Sequence, residues 1–147
     1  DWVIIHDAAR PCLLAYDILE FINKTLDSNK SSIMALPLAD TLKKVNENKI
    51  IEETISRDSL WVAQTPQMFK FNTVFDSLKY CIENKLKITD ESQAIELNGH
   101  KCRVHYGRPY NIKITHEMDM TLAKCIFNHI ERYILEDIEF NINKDQI

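Results

Sequence analysis

The chain has 147 residues, enough for one compact domain and too few for two comfortable ones. A hydrophobic share of 45%, a charged share of 27% and a net charge of -4 suit a globular protein and argue against non-specific nucleic-acid binding. No apolar run approaches the ~20 residues that a membrane span needs, and no signal-peptide pattern is present.

Residues 2–6 are a short continuous apolar run ending in His6, the pattern of a strand buried on both faces. Leu14, Ile18, Phe21, Ile22 and Leu26 recur at helical spacing and predict a helix of about three turns. A second apolar strand covers Ser32 to Leu38. Asp40 to Val45 and Ile50 to Arg57 read as two extended segments around the polar turn Asn46-Glu47-Asn48-Lys49. Leu60 to Gln64 is another short strand, closed by Thr65-Pro66. A helix begins near Asn72, with Val74, Phe75, Leu78, Cys81 and Ile82 on one face. The next begins at Thr89, carries Asp90 and Glu91 in its first turn and stops at Gly99. Cys102, Val104 and Tyr106 then alternate with Arg103 and His105 as a strand, which Asn111 to Ile114 extends. Thr115 caps a long helix bearing Met118, Leu122, Cys125, Ile126, Ile130 and Tyr133.

This alternation predicts an α/β fold with a largely parallel sheet in one domain, residues 1–135, followed by a polar tail, residues 136–147. The segment from Asp40 to Arg57 breaks the alternation. It reads as a long hairpin with too few apolar residues for a core of its own, and an isolated hairpin is at best marginally stable in water. A second copy of the chain is the expected cover.

Strand ends are where open α/β sheets place ligands, and several here carry chemistry. His6-Asp7-Ala8-Ala9-Arg10-Pro11 offers a carboxylate and a guanidinium beside two small residues that admit a ligand close to the backbone. A local Asp7–Arg10 pair explains the same stretch equally well. Arg57 at the hairpin base is by itself more readily a solvated turn residue. Thr89 is explained as a helix start, although a helix N-terminus also holds phosphate. Lys113 stands between Ile112 and Ile114 just before a helix, a placement that favours an anion site. His100-x-Cys102-x-x-His105 is a poor zinc candidate, because Cys102 and His105 would project to opposite faces of a strand. The four cysteines show no C-x-x-C spacing and read as reduced thiols, which points to a cytoplasmic protein. With glycine only at 99 and 107, no phosphate-cradling glycine loop is present, and a chain beginning with Asp1 reads as a piece of something longer.

Taken together, "HDAARP", "ALPLADTLK", "RDSLWVAQTPQMF", "TDESQAIE" and "NIKIT", in this order and at these spacings, strongly resemble the 2-C-methyl-D-erythritol 4-phosphate cytidylyltransferase family. The likeness runs from Asp1 to about Tyr133. It implies a Rossmann-like nucleotidyltransferase fold, incomplete at its N-terminus, with a projecting β-arm at about residues 38–57 exchanged in a homodimer. It also implies cytidylyl transfer from CTP to the sugar-alcohol phosphate, with magnesium bound mainly through the CTP phosphates. No protein metal ligands, nucleic acid or membrane are implied. Arg57 and Lys113 match the residues that hold the attacking phosphate, with Thr41 and Thr89 nearby. Asp7 and Arg10 match substrate-binding positions, and Asp7 with Ala8 matches the nucleotide side. The family's glycine-rich loop and catalytic lysine precede the first residue here, so this piece alone is expected to be inactive. A ribitol 5-phosphate cytidylyltransferase and a non-catalytic dimerisation or regulatory remnant are the rival readings. "ADTLKKV" and "TDESQAIE" look more like the methylerythritol enzyme.

Overall fold

The computed structural model describes residues 1–144, with side chains as far as Ile130. In chain order the elements are β1 (Trp2–Ile5), α1 (Ala15–Ser28), β2 (Ser32–Pro37), β3 (Leu42–Val45), β4 (Ile51–Ile55), β5 (Trp61–Lys70), α2 (Phe71–Glu83), α3 (Glu91–Leu97), β6 (Arg103–Tyr106) and α4 (Glu117–Lys144). Four strands form one sheet in the order β1-β5-β2-β6, and β3 and β4 pair as a separate two-stranded sheet.

Period-two alternation sends neighbouring side chains to opposite faces of this sheet. Ile33 of β2 and Phe69 of β5 pack with Val74 of α2 and Ile95 of α3, joined by Val3, Ile5, Leu78 and Cys102. Met34 and Met68, their sequence neighbours, pack on the other face with Phe21 of α1, joined by Trp2, Leu13 and Ile22. Helices therefore cover both faces, as the alternating pattern requires.

The sheet is mixed where a largely parallel one was expected. β5 runs antiparallel to both β1 and β2, while β2 and β6 are parallel. The reason is the chain path. β2 leads into β3 and β4, and the return strand is β5, with Pro37 opposite Trp61 and the Leu38 N–H donating to Leu60 O at 2.9 Å. β2 and β5 are thus the two legs of one extended hairpin, which must be antiparallel, whereas α1 and α3 provide crossovers.

Three other expectations change. β1 is an edge strand among the described residues and is half-buried, with Ile4 exposed, instead of covered on both faces. β5 does not stop at Thr65-Pro66: it continues to Lys70 through a cis Thr65–Pro66 bond, and the register slips between Ile33 and Met34 opposite. A proline inside a sheet needs such an irregularity because it cannot donate to the ladder. Residues 111–114 form no strand; they leave the sheet edge after a turn in which the Asn111 N–H donates to Arg108 O at 3.0 Å, and the Ile114 N–H instead reaches Ala9 O at 2.8 Å. The hairpin expected at residues 38–57 is present as β3 and β4, paired from Leu42↔Ile55 to Val45↔Ile51, with every β3 residue exposed. Of the polar tail expected from residue 136, residues 145–147 lie outside the described residues.

The central position of Phe69, with no solvent exposure, gives a direct test of this layering. Phe69→Ala is expected to cost ~3–5 kcal/mol by urea unfolding, the usual penalty for an emptied aromatic core site. Ile82→Ala on the exposed side of α2, where 76% of the residue faces solvent, should change stability by less than ~0.5 kcal/mol.

Candidate active site

The turn after β1 is built on one threonine of β5. The Asp7 N–H donates to Thr65 Oγ1 at 3.0 Å, and the same hydroxyl lies 2.9 Å from His6 Nδ1. His6 Nε2 is 3.0 Å from Arg10 O. A His6 tautomer with its proton on Nε2 satisfies all three contacts, since the Thr65 hydroxyl then donates to Nδ1. The Arg10 N–H closes the turn on Asp7 O at 2.9 Å.

Arg10 points inward. Its NH1 donates to Asn111 O at 2.8 Å, NH2 to Ala63 O at 3.4 Å, and Nε lies 3.6 Å from Asp7 Oδ2. Burial lowers its pKa, partly offset by Asp7. Lys113 reaches the same carboxylate, with Nζ 3.0 Å from Asp7 Oδ2. The Lys113 hydrogen bond holds the Asp7 carboxyl below the usual carboxylate range against the opposing effect of burial.

The start of α3 is tied to β5 by Gln67, which is 2% exposed. Its Nε2 donates to Asp90 Oδ2 at 2.9 Å, and its Oε1 accepts from the Ser92 N–H at 3.3 Å. Asp90, and not Thr89, is the N-cap: its carboxylate accepts the Gln93 N–H at 2.9 Å. Thr89 precedes the cap, and both its N–H and its hydroxyl donate to Gln93 Oε1, at 2.7 and 3.1 Å. This is a close variant of the capping box, with a glutamine reaching back across the helix start. Likewise Thr115 does not cap α4; its N–H and hydroxyl, and the His116 N–H, donate to Asp119 Oδ2 at 2.8 to 3.0 Å.

These segments enclose a cleft of about 330 Å³ lined by Asp7, Arg10, Thr89 and Lys113, together with Gln64, Gln67, Asp90 and Glu91. Four of the expected site residues thus meet, from segments more than a hundred positions apart. Ala8 is exposed on the Asp7–Arg10 turn beside the cleft. Thr41 and Arg57 are not in the wall. Both are exposed at the base of the β3–β4 arm, where Arg57 NH1 donates to Ala39 O. The wall therefore holds two cations against three carboxylates, Asp7, Asp90 and Glu91.

The structure adds residues that the sequence reading passed over. Gln64 Nε2 donates to Arg108 O at 3.1 Å and Asn111 O at 3.3 Å, and its Oε1 accepts the Arg108 N–H at 3.2 Å. Asn111, with no exposure, donates from Nδ2 to Thr65 O at 2.7 Å. Gly107 leaves room for this amide: a Cβ added there would meet Gln64 Oε1 and push it from its contacts. The signal was present in Gln64-Thr65-Pro66-Gln67, a polar run inside a strand whose flanking residues read as core. Buried polar groups of that kind must find partners.

No zinc geometry forms around His100. Cys102 packs with the α2–α3 face, while His105 lies edge-on to Phe21 of α1, 5.9 Å between centroids, on the other side. Among the described residues no three His, Cys, Asp or Glu side chains gather as a metal cage. Burial, with Glu96 and Asp90 nearby, pushes the Cys102 thiol up to about 11, and burial also raises Cys12.

The model of the family described as "IspD: 2-C-methyl-D-erythritol 4-phosphate cytidylyltransferase" matches residues 1–129. The chain is 44% identical over 126 residues to the enzyme of that name from Acinetobacter baumannii strain SDF, covering 86% of this chain and 53% of the relative. It is 43% identical over 132 residues to the Aliivibrio fischeri ES114 protein of the same name, covering 90% and 56%. Among solved structures, the Francisella tularensis enzyme superposes with a TM-score of 0.79 at 36% identity, covering 86% of this chain and 59% of that one. The chain spans about half the length of the curated relatives it matches.

Two outcomes follow from the ionisation states. The folded pKa of Asp7 lies below its unfolded value near ~3.9, so its contribution to stability is complete above that pH and is lost as the pH falls through the lowered folded value. Urea midpoints of the parent and Asp7→Asn should differ at pH 7 and converge only as the pH falls below the unfolded value and through the lowered folded one. At pH 8, exposed Cys125 should react with a disulfide reagent faster than half-buried Cys102, whose thiol burial pushes up to about 11, which mass mapping of the labelled thiols would read.

Proposed function

The chain belongs to the 2-C-methyl-D-erythritol 4-phosphate cytidylyltransferase family, and from that premise we propose that it supplies the sugar-phosphate side of an enzyme making the CDP-alcohol and pyrophosphate from CTP and 2-C-methyl-D-erythritol 4-phosphate. This reaction serves isoprenoid synthesis by the non-mevalonate route. A phosphate oxygen of the sugar alcohol attacks the α-phosphorus of CTP in line, with no covalent enzyme intermediate. The protein's task is then positioning and charge stabilisation.

The observation that supports this reading best is the convergence of Asp7, Arg10, Thr89 and Lys113 on one cleft. The Lys113 ammonium is half-exposed and held at the cleft wall, a point charge suited to a phosphate oxygen. Thr89 offers a hydroxyl beside it. Asp7 and the exposed backbone of Ala8 face the substrate hydroxyls and the nucleotide. Arg10, with both terminal nitrogens on carbonyls, acts by holding Asp7 and the Asn111 backbone in register.

The charge balance of the wall argues for an outside contribution. Two cations against three carboxylates are too few to join two phosphate-bearing substrates that repel each other. Arg57 and Thr41 stand on a hairpin that exposes Leu42, Val45, Ile50 and Ile51 and has no core of its own. A homodimer in which each arm reaches the neighbour's cleft would cover those side chains and deliver a guanidinium for bidentate phosphate contact. Magnesium is proposed to enter on the CTP phosphates, because it usually takes one or two carboxylates plus substrate oxygens, and the described residues hold no cage for it.

In a chain extended to its relatives' full length, Lys113→Ala and Arg57→Ala are each expected to lower turnover at least ~100-fold, as loss of one preorganised charge commonly does. Circular dichroism should stay unchanged, and near-parental kinetics would remove that residue from the site. Mixing the two inactive variants should restore activity that neither has alone, because one site of the mixed dimer then holds both intact cations. Absence of recovery would place Arg57 outside the neighbour's cleft. Turnover with ribitol 5-phosphate in place of the methylerythritol substrate would redirect the assignment.

A further inference from the structure

Asp17 lies on α1, away from the cleft, and is 2% exposed. A carboxyl group at that depth needs close hydrogen-bond partners, and both of its oxygens have one. Arg108 Nε donates to Oδ1 at 2.6 Å, and Tyr110 Oη donates to Oδ2 at 2.5 Å. Arg108 NH2 also donates to Glu20 Oε2 at 2.6 Å, one turn along α1, so the guanidinium bridges two carboxylates. Burial and the Asp17 contact push the Tyr110 hydroxyl up to about 12, which keeps it a neutral donor throughout the physiological range.

Both donors belong to residues 107–111, the irregular segment that carries the chain from β6 to Lys113. Its backbone is gripped from the opposite side. The Gly107 N–H donates to Ala35 O at 2.8 Å, and the Gln64 amide takes the N–H and C=O of Arg108 and the C=O of Asn111. The Asn111 carbonyl also accepts Arg10 NH1. Three residues later the Ile114 N–H meets Ala9 O. Among the described residues, the side chain of Lys113 is anchored by the carboxylate of Asp7. The aim of its long side chain therefore depends on where the 107–111 segment is held.

We infer that Asp17, Arg108 and Tyr110 form a clamp, built on a buried carboxylate, that positions Lys113 in the cleft, so that a helix remote from the ligand sets the geometry of the phosphate site. The inference rests on the phosphate role proposed above for Lys113. None of the three clamp residues touches the ligand; they act through the segment between them and the lysine. Such supporting contacts are what hold a reacting group within a fraction of an ångström of its productive position.

The test uses the chain as it stands, inorganic phosphate as the probe and titration calorimetry as the readout, with the lysines ¹³C-dimethylated for NMR. Arg108→Lys cannot span Asp17 and Glu20 with one compact ammonium, and Tyr110→Phe removes only a hydroxyl. Each should weaken phosphate binding about tenfold or more, the scale expected for a misplaced binding group. Each should also move the Lys113 resonance toward that of a free lysine. Val74→Ala, a core variant on the opposite face, should lower the urea midpoint and leave both readouts at the parental value. Tyr110→Phe serves should Arg108→Lys fail to fold. Parental phosphate affinity and an unmoved Lys113 resonance in a folded clamp variant would overturn the inference. If Lys113→Ala keeps its phosphate affinity, the phosphate reading fails instead, and the Lys113 resonance alone then decides the clamp: displacement supports it and constancy overturns it.

Discussion

Three buried polar side chains on β5 organise this molecule. Gln64, Thr65 and Gln67 sit at 8% exposure or less inside a strand whose neighbours Met68 and Phe69 are core. Each carries groups whose burial is costly unless they are hydrogen-bonded. Their partners are not one another. Thr65 takes the turn after β1, Gln64 takes the segment after β6, and Gln67 takes the start of α3. Those are the segments that carry Asp7 with Arg10, Lys113 and Thr89. The demand to satisfy a few buried amides and one hydroxyl therefore brings the cleft together.

The same logic explains the irregularities. The slip at Thr65–Pro66 turns successive polar side chains of β5 toward loops at the sheet's end, while the residues beyond it resume alternation into the two cores. Gly107 is small because the Gln64 amide lies against it. Apolar packing builds the layers, but hydrogen bonds of fixed length and direction set where the loops stand. A hydrophobic contact tolerates a shift of an ångström far better than a 2.7 Å amide contact does.

The arm is the opposite case. β3 and β4 pair along Leu42–Val45 and Ile51–Ile55, with cross-strand contacts such as Lys44 to Glu53 at 3.0 Å, yet they bury almost nothing. Exposed ion pairs contribute little to stability, typically ~0–1 kcal/mol. A two-stranded ribbon with apolar residues in solvent is poorly explained as a free-standing unit. Its exposed apolar residues are what the exchange between copies proposed above would cover.

Local order was legible in the residues themselves. The helix α1, the strand β6 and the polar turn at Asn46–Lys49 stand where spacing put them, although Val104 and Tyr106, expected on the covered face of β6, are exposed at the sheet edge. Of the residues that the resemblance names, Asp7, Arg10, Thr89 and Lys113 line one cleft, whereas Thr41 and Arg57 stand outside it on the arm. What spacing alone did not carry was pairing across distance. β5 became antiparallel because the chain returns from the arm beside β2. Residues 111–114 left the strand because Ala9, a hundred positions earlier, accepts the Ile114 N–H. Asp90 outcompeted Thr89 as the cap because Gln67 orients its carboxylate from another element. Spacing along the chain set which stretches become helix or strand and which residue types reach the strand ends. Tertiary structure decided which of those ends meet, since a buried hydrogen bond is chosen by whichever partner the folded path brings within 3 Å.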